Sequence, residues 1–358
     1  MVGGSHAQGL RRRLAGPLLI AVSALVLVAP VRAGDFLRLY GGENVGTSSG
    51  VFLRIPVGAR AVALGQAYSA SAYDGSSIFW NPAGIMRAPG RKNFFFSHSE
   101  YTAGIDLNYA AYHMHGLNFG YGLSVGVLSS GDILRTDELH QEGTGSTFNA
   151  NQIFVGLTIA RAMTDRFSIG ATAKYYQENL DQYQMKAVLA DLGILYFVGW
   201  HDLRIGFYVH NFGTDLKPGG TPPPLLDGYQ ATGSFQSFPA PTEGAFGLAR
   251  TWQFSEHIGL MTAMDFNHPS DAQETFRLGG ELGLRERLYL RAGYEIGRDE
   301  GGLAAGFGLT LSRKNFLLRI DYAYSDLGSF GTIHHISVDL SPLTKRRPVD
   351  NWRHGRER

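Results

Sequence analysis

Beyond residue 92 the chain alternates between apolar and polar residues, one by one. In 315–325, Phe316, Leu318, Ile320, Tyr322 and Tyr324 share one parity, and Asn315, Arg319, Asp321 and Ser325 take the other. In 287–296, Leu288, Leu290, Ala292, Tyr294 and Ile296 oppose Arg287, Arg291 and Glu295. Phe167, Ile169, Ala171, Ala173 and Tyr175 oppose Ser168, Thr172 and Lys174. Leu203, Ile205, Phe207 and Val209 oppose Arg204, Tyr208 and His210. A period of two places successive side chains on opposite faces of a strand. Each segment runs to about ten residues, the length a tilted strand needs to cross a bilayer.

The alternation predicts about fourteen strands, starting near Lys92, Asp106, Leu117, Asn151, Arg166, Lys186, Leu203, Glu243, His257, Gln273, Arg287, Gly302, Asn315 and Thr332. Short turns recur at His115-Gly116, Thr164-Asp165, Trp200-His201-Asp202, Arg285-Glu286 and Arg313-Lys314. Longer connections are expected over 129–150, 176–186 and 212–242, the last holding Pro218, Pro222, Pro223 and Pro224. Short turns on one side and longer loops on the other is the outer-membrane barrel pattern, with the turns periplasmic. The expectation is an all-β chain, a transmembrane antiparallel β-barrel of about fourteen strands spanning 92–341. A soluble sandwich also alternates, but this many strands would require two sandwiches and a linker. Phe167, Tyr175, Tyr294, Phe316, Tyr322 and Tyr324 are placed as interfacial girdle residues facing outer-membrane lipid.

Residues 57–85 do not alternate. They are rich in Ala and Gly and end in Asn81-Pro82-Ala83-Gly84. The inward parity of the later strands carries stripes of small residues: Gly120, Gly122, Ser124 and Gly126; Gly279 and Gly283; Ala304, Gly306 and Gly308. Such a lumen leaves room for an occupant, so an N-terminal extension and plug is expected over 34–91. Pro82 biases Asn81 away from helix and toward a turn. Gly58, Gly65 and Gly84 suit close backbone packing. Arg60 and Asp74 are charges in a small apolar stretch and need partners inside a barrel, either each other or the lumenal charges. Those expected to face the lumen are Lys174, Arg204, Asp265, Arg277, Glu281, Arg291, Glu295, Arg319 and Asp321, chiefly as cross-strand pairs.

Before the plug lies a leader. Arg11, Arg12 and Arg13 precede an apolar stretch over 18–28, followed by Val31-Arg32-Ala33. This is a secretory signal sequence, 1–33, cut after Ala33. The apolar stretch is well short of the roughly 20 residues of a spanning helix. A basic tail, 342–358, follows the last strand and includes Lys345, Arg346 and Arg347.

Composition narrows the chemistry. The net charge of +1 gives no field for nucleic acid. Glycine is 47 of 358 residues, roughly twice the usual share of about 7%. The chain has no cysteine, which excludes disulfides and thiol chemistry. Gly122-Leu123-Ser124-Val125-Gly126 matches G-x-S-x-G but lies inside an alternating strand, where no nucleophile elbow forms. His113 and His115 share a face with no third ligand nearby, and His334 and His335 point to opposite faces. No catalytic residue, metal or cofactor is assigned.

Phe52-Leu53-Arg54-Ile55, Val57-Gly58-Ala59-Arg60-Ala61, Leu64-Gly65-Gln66-Ala67, Asp74 and Trp80-Asn81-Pro82-Ala83-Gly84 together resemble the opening of the PorV/PorQ family of outer-membrane proteins. They also resemble the plug of the wider FadL-type fatty-acid transporters. Asp326-Leu327-Gly328 before a final strand is similar to that family's ending. The chain departs from the pattern at Gly65-Gln66, where the family has a Gly pair, and in its basic tail. The resemblance implies a fourteen-stranded plugged barrel in the outer membrane of a Gram-negative bacterium. It implies a docking or shuttle role in type IX-like protein export, with secreted proteins bearing C-terminal export domains, or other secretion components, as partners. The alternative it implies is import of a hydrophobic small molecule.

Overall fold

The computed structural model describes residues 45–220, 235–298 and 300–343. The expected signal sequence, 1–33, most of the expected basic tail, 342–358, and much of the proline-rich connection lie outside them.

The alternating segments become strands β1 (Lys92–Glu100), β2 (Asp106–His115), β3 (Phe119–Ser129), β4 (Ile133–Leu134), β5 (Thr147–Phe148), β6 (Ala150–Ala162), β7 (Phe167–Leu180), β8 (Tyr183–Phe197), β9 (Leu203–Gly213), β10 (Glu243–Ser255), β11 (Ile258–Pro269), β12 (Thr275–Leu284), β13 (Leu288–Ile296), β14 (Leu303–Ser312), β15 (Phe316–Asp326) and β16 (Thr332–Pro342). Fourteen of them pair antiparallel, each with its neighbours, and β1 closes on β16 from Phe94↔Leu340 to Glu100↔His334. Strands β4 and β5 form a separate small hairpin in the connection after β3.

Closure satisfies every strand edge, which is what a sheet in hydrocarbon requires. The outward parity is apolar and exposed: Phe94, Leu123, Leu157, Ile194, Leu278 and Leu309 are examples. The inward parity is small or polar and buried. The wall therefore presents its hydrophobic face outside, as a bilayer-spanning barrel must. Both chain ends of the wall lie at the end with the short turns.

One expectation changes. The connection expected over 176–186 is strand: β7 and β8 continue to Leu180↔Tyr183 and turn in two residues, Asp181 and Gln182, with Asp181 at φ 52°. Alternation fails there because this hairpin runs past the apolar belt and both faces are polar. Tyr175, outward and exposed, is the last residue of β7 before this polar extension.

Residues 50–88 lie inside. Short helical turns at Val51–Arg54 and Pro82–Arg87 flank helices α1 (Ala59–Ala63) and α2 (Ser77–Trp80). Asn81 caps the last turn, its Oδ1 accepting from Ala83 N at 3.2 Å, and Pro82 takes the first position where no N–H is needed. At the start of α1 the wall provides the cap: Gly58 N and Ala59 N donate to Ser97 Oγ (3.0 Å) and Ser337 Oγ (3.1 Å).

Of the stripe glycines, Gly279 meets the plug backbone, and Gly120 and Gly122 meet plug side chains, Met86 and Ile78. Gly126 and Gly283 instead face the wall's own Phe154 and Tyr289, and the closest backbone approaches are at other wall glycines. A Cβ on Gly293 would stand 2.0 Å from Gly65 N, and one on Gly193 would meet Asn81 Oδ1 at 2.3 Å. Gly279 and Gly170 are equally close to Leu64 and Pro82.

Candidate functional site

The lumen has a charged collar around α1 and an aromatic compartment beyond it. Arg60 occupies the centre of the collar. Its Nε and Nη2 hold Glu281 of β12 at 2.8 and 3.0 Å, and its Nη1 reaches Asp74 Oδ2 at 3.0 Å. Asp74 also accepts from Tyr68 Oη and from Ser76 Oγ (2.6 Å). Glu281 is shared with Arg291, at 2.7 Å, and Arg291 extends to Asp321 at 2.7 Å. Arg319 stands 3.6 Å from Asp74. Every charge in this chain of groups has an opposite neighbour, the condition for stable charge in a water-poor interior.

The remaining lumenal charges also turn inward. Asp265 accepts from the backbone N–H groups of Tyr68 (3.0 Å) and Ser69 (2.8 Å), so a wall carboxylate holds the plug main chain. Arg277 pairs with Glu295 at 2.8 Å, and Gln66 donates to Glu295 at 3.2 Å. Arg204 donates to Tyr73 Oη (2.9 Å) and Thr251 Oγ1 (2.7 Å). Lys174 pairs with Asp191 at 2.8 Å and donates to Asn211 Oδ1 at 2.8 Å.

Of the plug motif, Asn81 ties the segment to the wall. Its Nδ2 donates to Ser69 O and to Ile194 O, both at 2.9 Å. Gly84 packs so tightly that a Cβ would lie 1.7 Å from Ala72 O. Ala59, Pro82 and Ala83 are buried without polar side chains and fill the space against the wall.

Several participants carried a readable signal that single-residue inspection passes over. Asp191 shares its inward parity with Ala187, Leu189, Gly193 and Leu195, and Asp339 with Ser337 and Ser341. Asp339 accepts from Gly75 N at 3.0 Å and from Asn93 Nδ2 at 2.7 Å. Tyr68 and Tyr73 carried no such signal, since the plug has no periodicity.

Toward the loop end lies the aromatic compartment. Phe52 packs on Phe154 at 5.6 Å and on Tyr176 at 6.4 Å. Phe79 meets Trp80 at 5.3 Å and Tyr109 at 5.8 Å. Lys174 Nζ stands 5.7 Å from the Phe154 ring. Leu53, Leu107, Leu128, Leu189 and Leu216 complete the cluster. Beside it the wall is irregular. Asp191 of β8 faces both His210 and Asn211 of β9, with Asn211 at φ 57°. Asn211 N donates to Asp191 Oδ1 at 2.9 Å.

Other sequence features lie outside these two storeys. Ser124 is mid-strand, opposite Ala111 and Gly156, and lacks the strand-to-helix turn of a nucleophile elbow. His113 and His115 face inward and approach different carbonyls, of Asp74 (3.4 Å) and Gly90 (2.7 Å). His335 is buried between Ser99 and Ser325, while His334 is outside beside Tyr322.

No protein-family profile matches the chain, and no curated protein matches it. Among solved structures, the toluene transporter TbuX of Ralstonia pickettii aligns with a TM-score of 0.51 at 11% identity, covering 81% of this chain and 98% of that one. The CymD monoaromatic hydrocarbon channel aligns with a TM-score of 0.50 at 13% identity, with the same two coverages. These barrels share this fold. At such identity the likeness establishes architecture and no further property.

Proposed function

We propose that the protein is a non-enzymatic outer-membrane channel of FadL type that takes up a hydrophobic small molecule. The observation that carries this reading is the aromatic compartment between the collar and the loop end, set beside the register break at Asp191 and Asn211. Apolar, aromatic-lined sites with few polar groups suit apolar ligands. The two similar barrels are named for toluene and monoaromatic hydrocarbons. The plug is the part that gives way when a ligand passes, and the plug motif and collar charges hold it meanwhile.

A PorV-like docking role in protein export is the second reading, and it draws on the outward loops alone. Mixed charge on a lumen wall could serve such docking if it were free. Here the charges are internally paired, and paired groups have little left to present to a partner.

The test is twofold. Toluene or a long-chain fatty acid titrated into the purified protein should give a saturable change in Trp80 fluorescence that Trp80→Phe removes. Cells with an intact lipopolysaccharide leaflet should take up labelled ligand faster when they make this protein. If neither occurs, and pull-down from outer membranes recovers proteins with C-terminal export domains, the channel reading is wrong and docking replaces it.

A further inference from the structure

The outer surface at the turn end carries a feature that a channel does not need. A cleft of about 600 Å³ opens between β1, β2 and β3, lined by Arg91, Lys92, Met114, Leu117, Phe119 and Tyr121 among others. Its floor is apolar and exposed: Met114 is 43%, Leu117 66% and Tyr121 50% accessible. Its rim is cationic. Arg91 and Lys92 are exposed. A third cation is adjacent, since Arg161 of β6 pairs with Phe119 across the ladder and lies 5.2 Å from its ring centre.

The protein does not neutralise these cations. Among the described residues no carboxylate lies within 4.0 Å of Arg91, Lys92 or Arg161. Arg161 Nε is buried and has no hydrogen-bond partner. The framework is nonetheless fixed: His115 Nε2 binds Gly90 O at 2.7 Å and His115 N donates to Arg91 O at 2.9 Å, tying the ends of β1 and β2 together.

Charge is distributed unevenly along the barrel axis. Arg250, stacked 3.5 Å over Trp252, with Arg287, Arg313 and Lys314, continues the cationic band around the turn end. The loop end is instead acidic, with Glu100, Asp106, Asp132, Asp137, Glu138 and Glu142. A cationic rim over an exposed apolar floor, at the level where strands leave the bilayer, complements a lipid with an anionic headgroup. A zwitterionic lipid brings its own cation and meets the same rim less favourably. We propose that this cleft binds an anionic phospholipid, its phosphate diester against Arg91, Lys92 and Arg161 and its first methylenes over Met114, Leu117 and Tyr121. The proposal is independent of what passes through the lumen.

The test reconstitutes the full chain in nanodiscs of equal parts phosphatidylglycerol and phosphatidylcholine and counts retained lipids by native mass spectrometry. Wild type should retain phosphatidylglycerol preferentially. Near a membrane surface each Lys or Arg contributes an attraction of about fivefold for an anionic lipid. Arg91→Gln, Lys92→Gln and Arg161→Gln should each lower the preference by about that factor. Lys186→Gln, on the loop side, should leave it unchanged. Heat-modifiable migration on gels checks that each variant is folded, and the wild-type preference is informative even if a variant fails to fold. Equal retention of both lipids by wild type, or an undiminished preference in a folded Arg91→Gln/Lys92→Gln variant, overturns the proposal. So does displacement of the lipid by inorganic phosphate alone, which would make the cleft a free-anion site.

Discussion

Replacing Arg60 with methionine keeps the bulk of the side chain and removes the charge at the centre of the collar. Glu281 then keeps Arg291 at 2.7 Å, and Asp74 keeps Ser76 Oγ at 2.6 Å with Arg319 farther off at 3.6 Å. Removing one partner of a buried pair costs about 3–5 kcal/mol. Because both carboxylates retain some support, the lower end applies, about 3 kcal/mol. At 1.4 kcal/mol per tenfold, the plug should open roughly 100-fold more often. Hydrogen exchange in a bilayer mimetic reads this directly. The amides of Val62, Gly65 and Gln66, bonded within the plug to Gly58 O, Val62 O and Ala61 O, should exchange roughly 100-fold faster, while amides in β12 and β13 keep their protection. Glu281→Gln should act on the same amides. The double variant should fall short of the sum of the two by about 0.5–3 kcal/mol, the range for groups in contact. Acceleration of less than about threefold, under roughly 0.7 kcal/mol, would refute the claim that this ion pair locks the plug.

Further outcomes follow from the same geometry. Gly84→Ala places a methyl group 1.7 Å from Ala72 O and should cost at least the upper end of the usual 1–3 kcal/mol for overpacking, seen as protease cleavage within 57–85. Asn81→Ala removes a cap and strands the carbonyls of Ser69 and Ile194. A loss of about 2 kcal/mol or more is expected, read by the same proteolysis, whereas full protection would deny Asn81 its tethering role. Leu157→Arg, on the outward face where Leu157 is 65% exposed, should destabilise the barrel by about 2–4 kcal/mol in lipid vesicles, measured by urea titration. Unchanged stability of Leu157→Arg in the vesicles would refute the assignment of this face to lipid.

The wall was legible because a strand in lipid must obey a strict rule: one parity apolar, the other not. Strand starts expected at Lys92, Asp106, Leu203, Glu243 and Thr332 are where strands begin, and the others are displaced by one to three residues. The rule ends where lipid ends, which is why 176–186 reads as a loop and folds as a hairpin. The plug was legible in part from the glycine stripes: Gly120, Gly122 and Gly279 do meet it, but Gly126 and Gly283 make room for wall rings. Gly170, Gly193 and Gly293, which the plug also touches, stood outside the stripes. Its partnerships were only half legible. Arg60 and Asp74 announce themselves as charges among alanines, yet Glu281 could not be chosen from sequence over Glu295 or Asp321. That choice depends on strand tilt and on the rotation of α1 inside the barrel, and neither leaves a trace in periodicity.

The ties between plug and wall also constrain the order of assembly. Arg60 precedes its partner Glu281 by 221 residues, and Ala59 precedes Ser337 by 278. During synthesis the plug therefore emerges long before the wall strands that hold it. Apart from the Arg60–Asp74 pair within itself, it must wait without its charge partners until β12, β13 and β16 arrive. Nor is late threading compatible with the contacts, because Gly293 and Gly193 leave no side-chain clearance around the plug backbone. The plug is thus best in place before β1 meets β16. On this account it works as a mandrel around which the last strands close, and a failed Arg60–Glu281 pair would show first as slow or misregistered closure of the seam.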